Sequence, residues 1–167
     1  MRRLNSKKGF TLIEMIVCVL TLSMIVLICT TGLGMAMKSY NESMFDSNSQ
    51  MLESTINTYI GDILRYSHDA AEVDGEIVFG NRMYGIDTAM AKLRINEEGR
   101  FVFVMSATTE GLLLGNNVYA ENLYVADFEL TYDSATCVFE GGYTIKSTLT
   151  DKERPVSFTF KSIIDSV

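Results

Sequence analysis

Lys7-Lys8-Gly9-Phe10-Thr11-Leu12-Ile13-Glu14 is the stretch that decides how this chain is built. A short basic leader meets a long apolar run there. The run, residues 10–37, is 28 residues long and carries one charged side chain, Glu14. About 20 consecutive apolar residues cross a bilayer core as a helix, so the run spans even after its ends are discounted. A removed secretory signal is the rival reading. Its apolar region would be only about 7–15 residues long and would close on a small-residue cleavage site. Here Thr30, Thr31, Gly32 and Gly34 are followed by more apolar sequence, so a spanning helix is the expectation.

Charge sets the orientation. The chain has 167 residues and a formal net charge of −7. Arg2, Arg3, Lys7 and Lys8 precede the run with no acid among them, which leaves ten basic against 21 acidic residues in the rest, a balance of −11. Basic residues stay on the cytoplasmic side, so the start is expected inside and the acidic body outside. An acidic body is also a poor general nucleic-acid binder, because phosphate contacts need clustered Lys and Arg.

The helix is expected to continue past the membrane. Residues 38–69 contain no proline, and Met44, Leu52, Ile56, Tyr59, Ile60, Ile63 and Leu64 recur mostly three and four apart. That spacing makes one apolar face. Asp46-Ser47-Asn48-Ser49-Gln50 is a run of poor helix formers, where a kink or fraying is expected. The helix should end near His68-Asp69.

From about residue 72 the period drops to two. Glu76–Phe79 reads as a short strand, and residues 92–96 and 100–106 as a hairpin around Glu97-Glu98-Gly99. Leu112–Leu114 and Asn117–Ala120 flank a turn at Gly115-Asn116. Residues 125–132 alternate, with Val125, Phe128, Leu130 and Tyr132 against Asp127, Glu129 and Thr131. Residues 136–140 and 143–149 follow as strands split by Gly141-Gly142. The last strand is 155–163, opening on the single proline, Pro155, where a missing N–H does least harm. Residues 83–91 read equally as loop or short helix. The fold class is α+β: a long N-terminal helix, membrane-spanning in its first half and amphipathic in its second, packed on a mainly antiparallel β-sheet domain.

Glu14 is the chemically awkward residue. A carboxylate inside a membrane helix costs roughly 2.5–3.5 kcal/mol on insertion scales. It lies four residues past Phe10, about 6 Å of rise. Either it sits near enough to the inner interface to stay wet, or it meets a cation. Cleavage after Gly9 would create such a cation, the amine of Phe10, at the right depth.

Lys8-Gly9-Phe10-Thr11-Leu12-Ile13-Glu14 resembles the processing site of type IV pilins and of the pseudopilins of type II secretion. The likeness includes the basic leader, glycine before the cut, phenylalanine after it, glutamate as fifth residue of the mature chain and the apolar stretch beyond. The motif covers about residues 1–35. The long helix followed by a strand-rich domain extends it over the chain. The resemblance implies a leader (1–9) removed by a membrane prepilin peptidase that cuts Gly9–Phe10 and methylates the Phe10 amine. It implies a membrane and filament-core helix (10–37), an amphipathic extension (38–70) and an outer β-rich domain (71–167). It further implies an assembly ATPase, a platform membrane protein, other pilin or pseudopilin subunits and membrane lipid as partners. Glu14 then serves as the assembly contact, neutralising a neighbour's Phe10 amine. The implied location is the bacterial cytoplasmic membrane, and the cell surface or periplasm after assembly. A single outer cysteine, Cys137, permits no disulfide loop within the outer domain, which is more similar to minor than to major subunits. A bitopic anchor carrying an outer binding domain is the alternative.

No enzyme is expected. His68 is the single histidine, suited to a helix end or surface, and there is no Gly-x-Ser-x-Gly elbow. Gly32-Leu33-Gly34 lies inside the apolar run and is no phosphate loop. No cofactor is expected, and no Cys spacing suits a metal. Asp133 or Asp151 with loop carbonyls would be the one oxygen-ligand calcium candidate. Cys18 and Cys29 read as small apolar residues of the helix, and Cys137 as a buried strand residue. The family pattern often carries a proline about twenty residues into the mature helix; this chain has Thr30-Thr31-Gly32-Leu33-Gly34 there. Those glycines either permit local melting on assembly or are small residues where helices pack closely. The Gly32→Ala/Gly34→Ala double variant separates the two. A melting role predicts impaired assembly and raised local helicity; unchanged assembly and helicity would count against it.

Overall fold

The computed structural model describes residues 11–106, 108–120 and 122–164. Among the described residues one helix, α1, runs Leu12–Arg65, and eight strands follow it. The chain divides into a first unit ending at Tyr40 and a second beginning at Asn41. The second unit contains the amphipathic part of α1 and all the strands. It is α+β, with the helix packed against antiparallel sheets.

Within the second unit α1 buries Phe45, Ser49, Leu52, Ile56, Ile60, Gly61, Ile63 and Leu64. The stripe follows the expected spacing, with one correction of phase. Phe45 is buried where Met44 was expected, and Met44 and Tyr59 are 43% and 48% exposed. Residues 46–50 stay helical rather than fraying. Ser49 is fully buried and its hydroxyl donates to the Asp46 carbonyl at 3.2 Å. The Asp46 carboxylate accepts from Lys152 Nζ at 2.8 Å. Tertiary contacts outweigh the weak propensity of this run.

The helix stops at Arg65, three residues before the expected end. The last carbonyls of a helix have no partner inside it, and here three other segments supply the donors. Asn81 Nδ2 donates to the Ile63 carbonyl at 2.9 Å, Ser67 Oγ to Leu64 at 2.7 Å and the Ile163 N–H to Arg65 at 2.9 Å. Arg82 N–H then donates to Tyr66 at 3.2 Å. Asn81 is fully buried and works in two directions, since its Oδ1 also accepts from the Met83 N–H at 2.9 Å. His68 therefore falls in a strand, not at the helix end.

β1 (Ser67–Val73), β2 (Glu76–Asn81), β3 (Ile86–Ile95), β4 (Phe101–Ser106) and β5 (Thr109–Leu112) form one antiparallel sheet in chain order. β6 (Leu123–Asp133), β7 (Val138–Ser147) and β8 (Glu153–Lys161) form a second. The hairpin expected around Glu97-Glu98-Gly99 is present as β3–β4, with Leu93 opposite Phe103. The undecided region 83–91 is a 3-10 turn, Arg82–Tyr84, followed by the first half of β3. The strand expected at Asn117–Ala120 is instead a 3-10 turn, Asn116–Val118. Cys137 lies in the turn before β7, partly exposed and at φ +55°, not buried in a strand.

The two strands expected on either side of Gly141-Gly142 are one strand, β7, running through both glycines. Their purpose is close approach, not chain reversal. A Cβ on Gly141 would lie 2.5 Å from the Glu129 carbonyl oxygen and 2.8 Å from Phe158 Cζ, and one on Gly142 would lie 2.9 Å from the Val156 oxygen. The neighbouring strand β6 carries a bulge between Ala126 and Glu129, with Asp127 at φ +55°. An extra residue in one strand crowds its partner, and glycine in the partner admits it.

Gly99 joins the two sheets. It has φ +70°, its carbonyl accepts the Val125 N–H at 2.9 Å, and an added Cβ would lie 2.7 Å from Tyr124 Cβ. Between the sheets and α1 lies one core. Phe79, Phe101 and Phe139 are fully buried beside Leu52, Ile56 and Ile60. Phe101 meets Phe128 and Tyr143 edge to face at 5.1 and 5.3 Å, the arrangement favoured by ring quadrupoles. Each buried Leu or Ile here is worth about 2 kcal/mol.

Gly141→Ala should destabilise the full chain by more than about 2 kcal/mol, because a backbone oxygen must move. Gly111→Ala on β5, where a Cβ meets nothing within 4 Å, should change stability by less than about 0.5 kcal/mol. Urea denaturation in detergent compares them; equal effects would refute the crowding account.

Candidate functional site

Two places carry the chemistry expected from sequence: the start of α1 and the surface of the second unit. Gly9 and Phe10 lie outside the described residues. Thr11 and Glu14 are described, and they form a reciprocal cap. The Glu14 Oε2 accepts from the Thr11 N–H at 2.8 Å and from Thr11 Oγ1 at 2.9 Å, while the Glu14 N–H donates to Thr11 Oγ1 at 3.4 Å. This is a capping box, with Thr11 before the first helical residue and Glu14 three positions on. The signal was present in sequence as Thr-x-x-Glu. The carboxylate also sits at the helix end where the dipole favours a negative charge.

The first unit presents a largely apolar surface. Leu12, Ile13, Met15, Ile16, Val17, Val19 and Leu20 are each more than half exposed, as are Leu27, Ile28, Leu33 and Met35. Its most apolar 18-residue window has a mean hydropathy of 2.8 and buries nothing within the chain. The helix is thus long and apolar enough to cross a membrane. Its hydroxyls are internally satisfied. Thr21 Oγ1 donates to the Val17 carbonyl at 3.0 Å, Ser23 Oγ to Val19 at 2.8 Å, and Thr30 and Thr31 to Val26 and Leu27 at 3.0 Å. Polar groups in hydrocarbon need such partners, since no water is there to supply them. Cys18 and Cys29 are exposed on the same surface.

In the second unit α1 is tied to β7 and β8 by polar contacts. Arg154 Nε donates to Glu53 Oε2 at 2.5 Å, Lys152 Nζ to Asp46 at 2.8 Å, and Tyr143 Oη to Asn57 Oδ1 at 3.0 Å. Tyr143 is 2% exposed. Burial pushes its phenol well above the ordinary range, and the nearby Glu53 carboxylate adds to the shift. Tyr119 is raised by burial as well, while its Oη accepts the Phe101 N–H at 3.1 Å and Arg100 lies over its ring. Lys152 is raised by its bond to Asp46, and Lys146 by its bond to Asp127.

The remaining expected residues are not brought together. The Asp133 carboxylate is occupied by its own turn, accepting from Thr136 Oγ1 at 2.7 Å and the Ala135 N–H at 2.9 Å. The Thr136 hydroxyl and then that N–H hold it below the usual carboxylate range. Among the described residues no three His, Cys, Asp or Glu side chains cluster as metal ligands do. His68 Nδ1 contacts Asp69 Oδ2 at 3.0 Å. Shallow grooves run along α1 beside β8 and between β6 and β2–β3. Comparison with protein-family models, with curated proteins and with solved structures yields no match to this chain.

The raised groups set the alkaline response. Tyr143, Tyr119, Lys146 and Lys152 all hold their protons more tightly when folded. Their contribution is intact below about pH 10, the ordinary range of phenols and amines. Above it the unfolded chain loses protons first, and stability falls as pH rises. The urea midpoint should drop steadily above about pH 10, and Tyr143→Phe should make that slope shallower while lowering the midpoint at neutral pH. An unchanged slope in the variant would refute the assignment to Tyr143.

Proposed function

We propose that the chain is a prepilin-like structural subunit of a type IV pilus or pseudopilus. The observation that carries this reading is the run Lys8-Gly9-Phe10 with Glu14 four residues on, set at the start of an apolar helix. A prepilin peptidase cleaves Gly9–Phe10 and methylates the new amine, which keeps its positive charge. The basic leader holds the start in the cytoplasm, and the outer unit stands on the other side of the bacterial cytoplasmic membrane. An assembly ATPase and a platform protein move the subunit into a filament serving secretion, DNA uptake or adhesion. There neighbouring helices replace lipid around the apolar surface. Glu14 neutralises the amine of Phe10 on a neighbour and selects one register, the use for which a buried ion pair is best suited. The lone cysteine of the outer unit and its eight strands favour a minor subunit.

One observation favours a second reading. The capping box accounts for Glu14 as a helix-start residue with no filament at all. The chain would then be a bitopic anchor with an outer binding domain.

Mass spectrometry of the membrane-extracted protein, from cells with an active prepilin peptidase, separates the two. The filament reading expects a chain beginning at N-methyl-Phe10. A chain still beginning at Met1 sinks it and leaves the anchor.

A further inference from the structure

β8 is the outer strand of the second sheet, paired to β7 over nine residues without a bulge. A Cβ on Gly142 would lie 2.9 Å from the Val156 oxygen, so the Val156 carbonyl faces β7. Backbone groups point alternately to the two sides of a strand. Those of Pro155, Ser157, Thr159 and Lys161 therefore face away from the sheet. Ile163 has the same parity, and its N–H meets the Arg65 carbonyl of α1 at 2.9 Å. Between Pro155 and that closure the outward groups have no backbone partner among the described residues. The sheet's other edge is engaged, since the Val125 N–H of β6 donates to Gly99 and the Leu123 carbonyl accepts from Arg100.

The open edge borders the groove beside α1. The helix side of that groove is polar, with Ser54, Asn57, Thr58 and the exposed Asp62. Its chemistry is set by a shortage of cations. Residues 41–167 hold nine Lys and Arg against 20 Asp and Glu. Lys92, Arg94, Lys146, Lys152 and Arg154 are each joined to a carboxylate already. Arg65 lies over the Phe160 ring and Arg100 over Tyr119. Among the described residues no cation reaches Asp62 within ion-pair distance.

We propose that the β8 edge binds an extended basic segment of another protein, added as a fourth, antiparallel strand. Ser157 and Thr159 each exchange two backbone hydrogen bonds with it, the pattern of strand addition. Pro155 has no N–H and can only accept, so it marks one end of the contact. The Arg65–Ile163 bond marks the other. A strand advances about 3.4 Å per residue, so some five to seven residues fill this window. Every second side chain of the segment lies on the α1 side, where Lys or Arg meets Asp62. The negative balance of the second unit draws such a segment in. A second copy of this chain carries the same negative balance and is repelled. Proline and lysine on the edge also keep it from pairing indiscriminately. The proposal holds for a filament subunit and for an anchor alike.

The test pans the full chain in detergent against a library of random peptides of about nine residues, the length of β8 itself. Enriched sequences should carry Lys or Arg at every second position. The best of them, made synthetically, should slow hydrogen exchange at the Ser157 and Thr159 amides. Methylating one alternate set of its backbone nitrogens should abolish binding, and methylating the other set should not. Ser157→Pro removes a donor on the free edge, where proline is tolerated, and should weaken binding about tenfold. Asp62→Asn should weaken it roughly threefold and flatten its salt dependence. Unchanged circular dichroism and thermal unfolding confirm that both variants are folded, and the exchange measurement needs neither of them. The proposal is overturned by a library without enrichment, by enriched peptides lacking the alternation, or by binding that Ser157→Pro leaves unchanged. Protection of Ser157 and Thr159 that appears without peptide, as the chain self-associates, identifies a second copy as the occupant and overturns it too.

Discussion

The stripe Phe45, Leu52, Ile56, Ile60, Ile63 and Leu64 is costly to leave in water, and the second unit is arranged around covering it. Neither sheet alone would do so. The β1–β5 meander brings Phe79, Phe101 and Phe103, the β6–β8 meander brings Phe139, Ile145 and Phe158, and the helix stripe completes one core with both. Burial of this kind is non-directional. It explains why the parts cohere but not why they stop where they do.

The stops are set by hydrogen bonds. Asn81, fully buried, gives its amide to the Ile63 carbonyl and takes the N–H groups of the turn beyond it. Ser67 and Ile163 serve the next two carbonyls. A buried carbonyl without a partner costs about 1–3 kcal/mol, so the helix ends where three segments together can satisfy it. The same logic governs the other end of α1 on a smaller scale. There, among the described residues, Thr11 and Glu14 cap the helix between themselves.

The two parts of α1 also show two ways of satisfying polar groups. In the first unit Thr21, Ser23, Thr30 and Thr31 fold back on their own helix, which suits a surface facing hydrocarbon. In the second unit Glu53, Asn57 and Asp46 reach across to Arg154, Tyr143 and Lys152. One surface needs nothing from the rest of the chain, and the other is held by it.

Much of this was legible in the residues. The apolar run, the basic leader and the face at spacings of three and four are local patterns, and local patterns report helix, membrane affinity and the buried side directly. The capping box was legible too, as Thr11-x-x-Glu14. The bulge in β6 departs from the simple alternation expected over residues 125–132, and its signal is that Val125 and Phe128 lie on opposite parities. Other features were not, because their causes lie far along the chain. Gly141-Gly142 has the look of a turn, and only the approach of Glu129 and Phe158 makes it the middle of a strand. Asp46–Gln50 is weak as a helix until Lys152 and the core hold it. The amino acids by themselves determined a helix able to cross a bilayer, the α+β class and the motif at Gly9, Phe10 and Glu14, because spacing and composition act over a few residues. Tertiary structure decided where α1 ends, how the strands divide into two sheets and which groups α1 is tied to, because those depend on donors and atoms up to about a hundred residues away, as Asp46 is from Lys152.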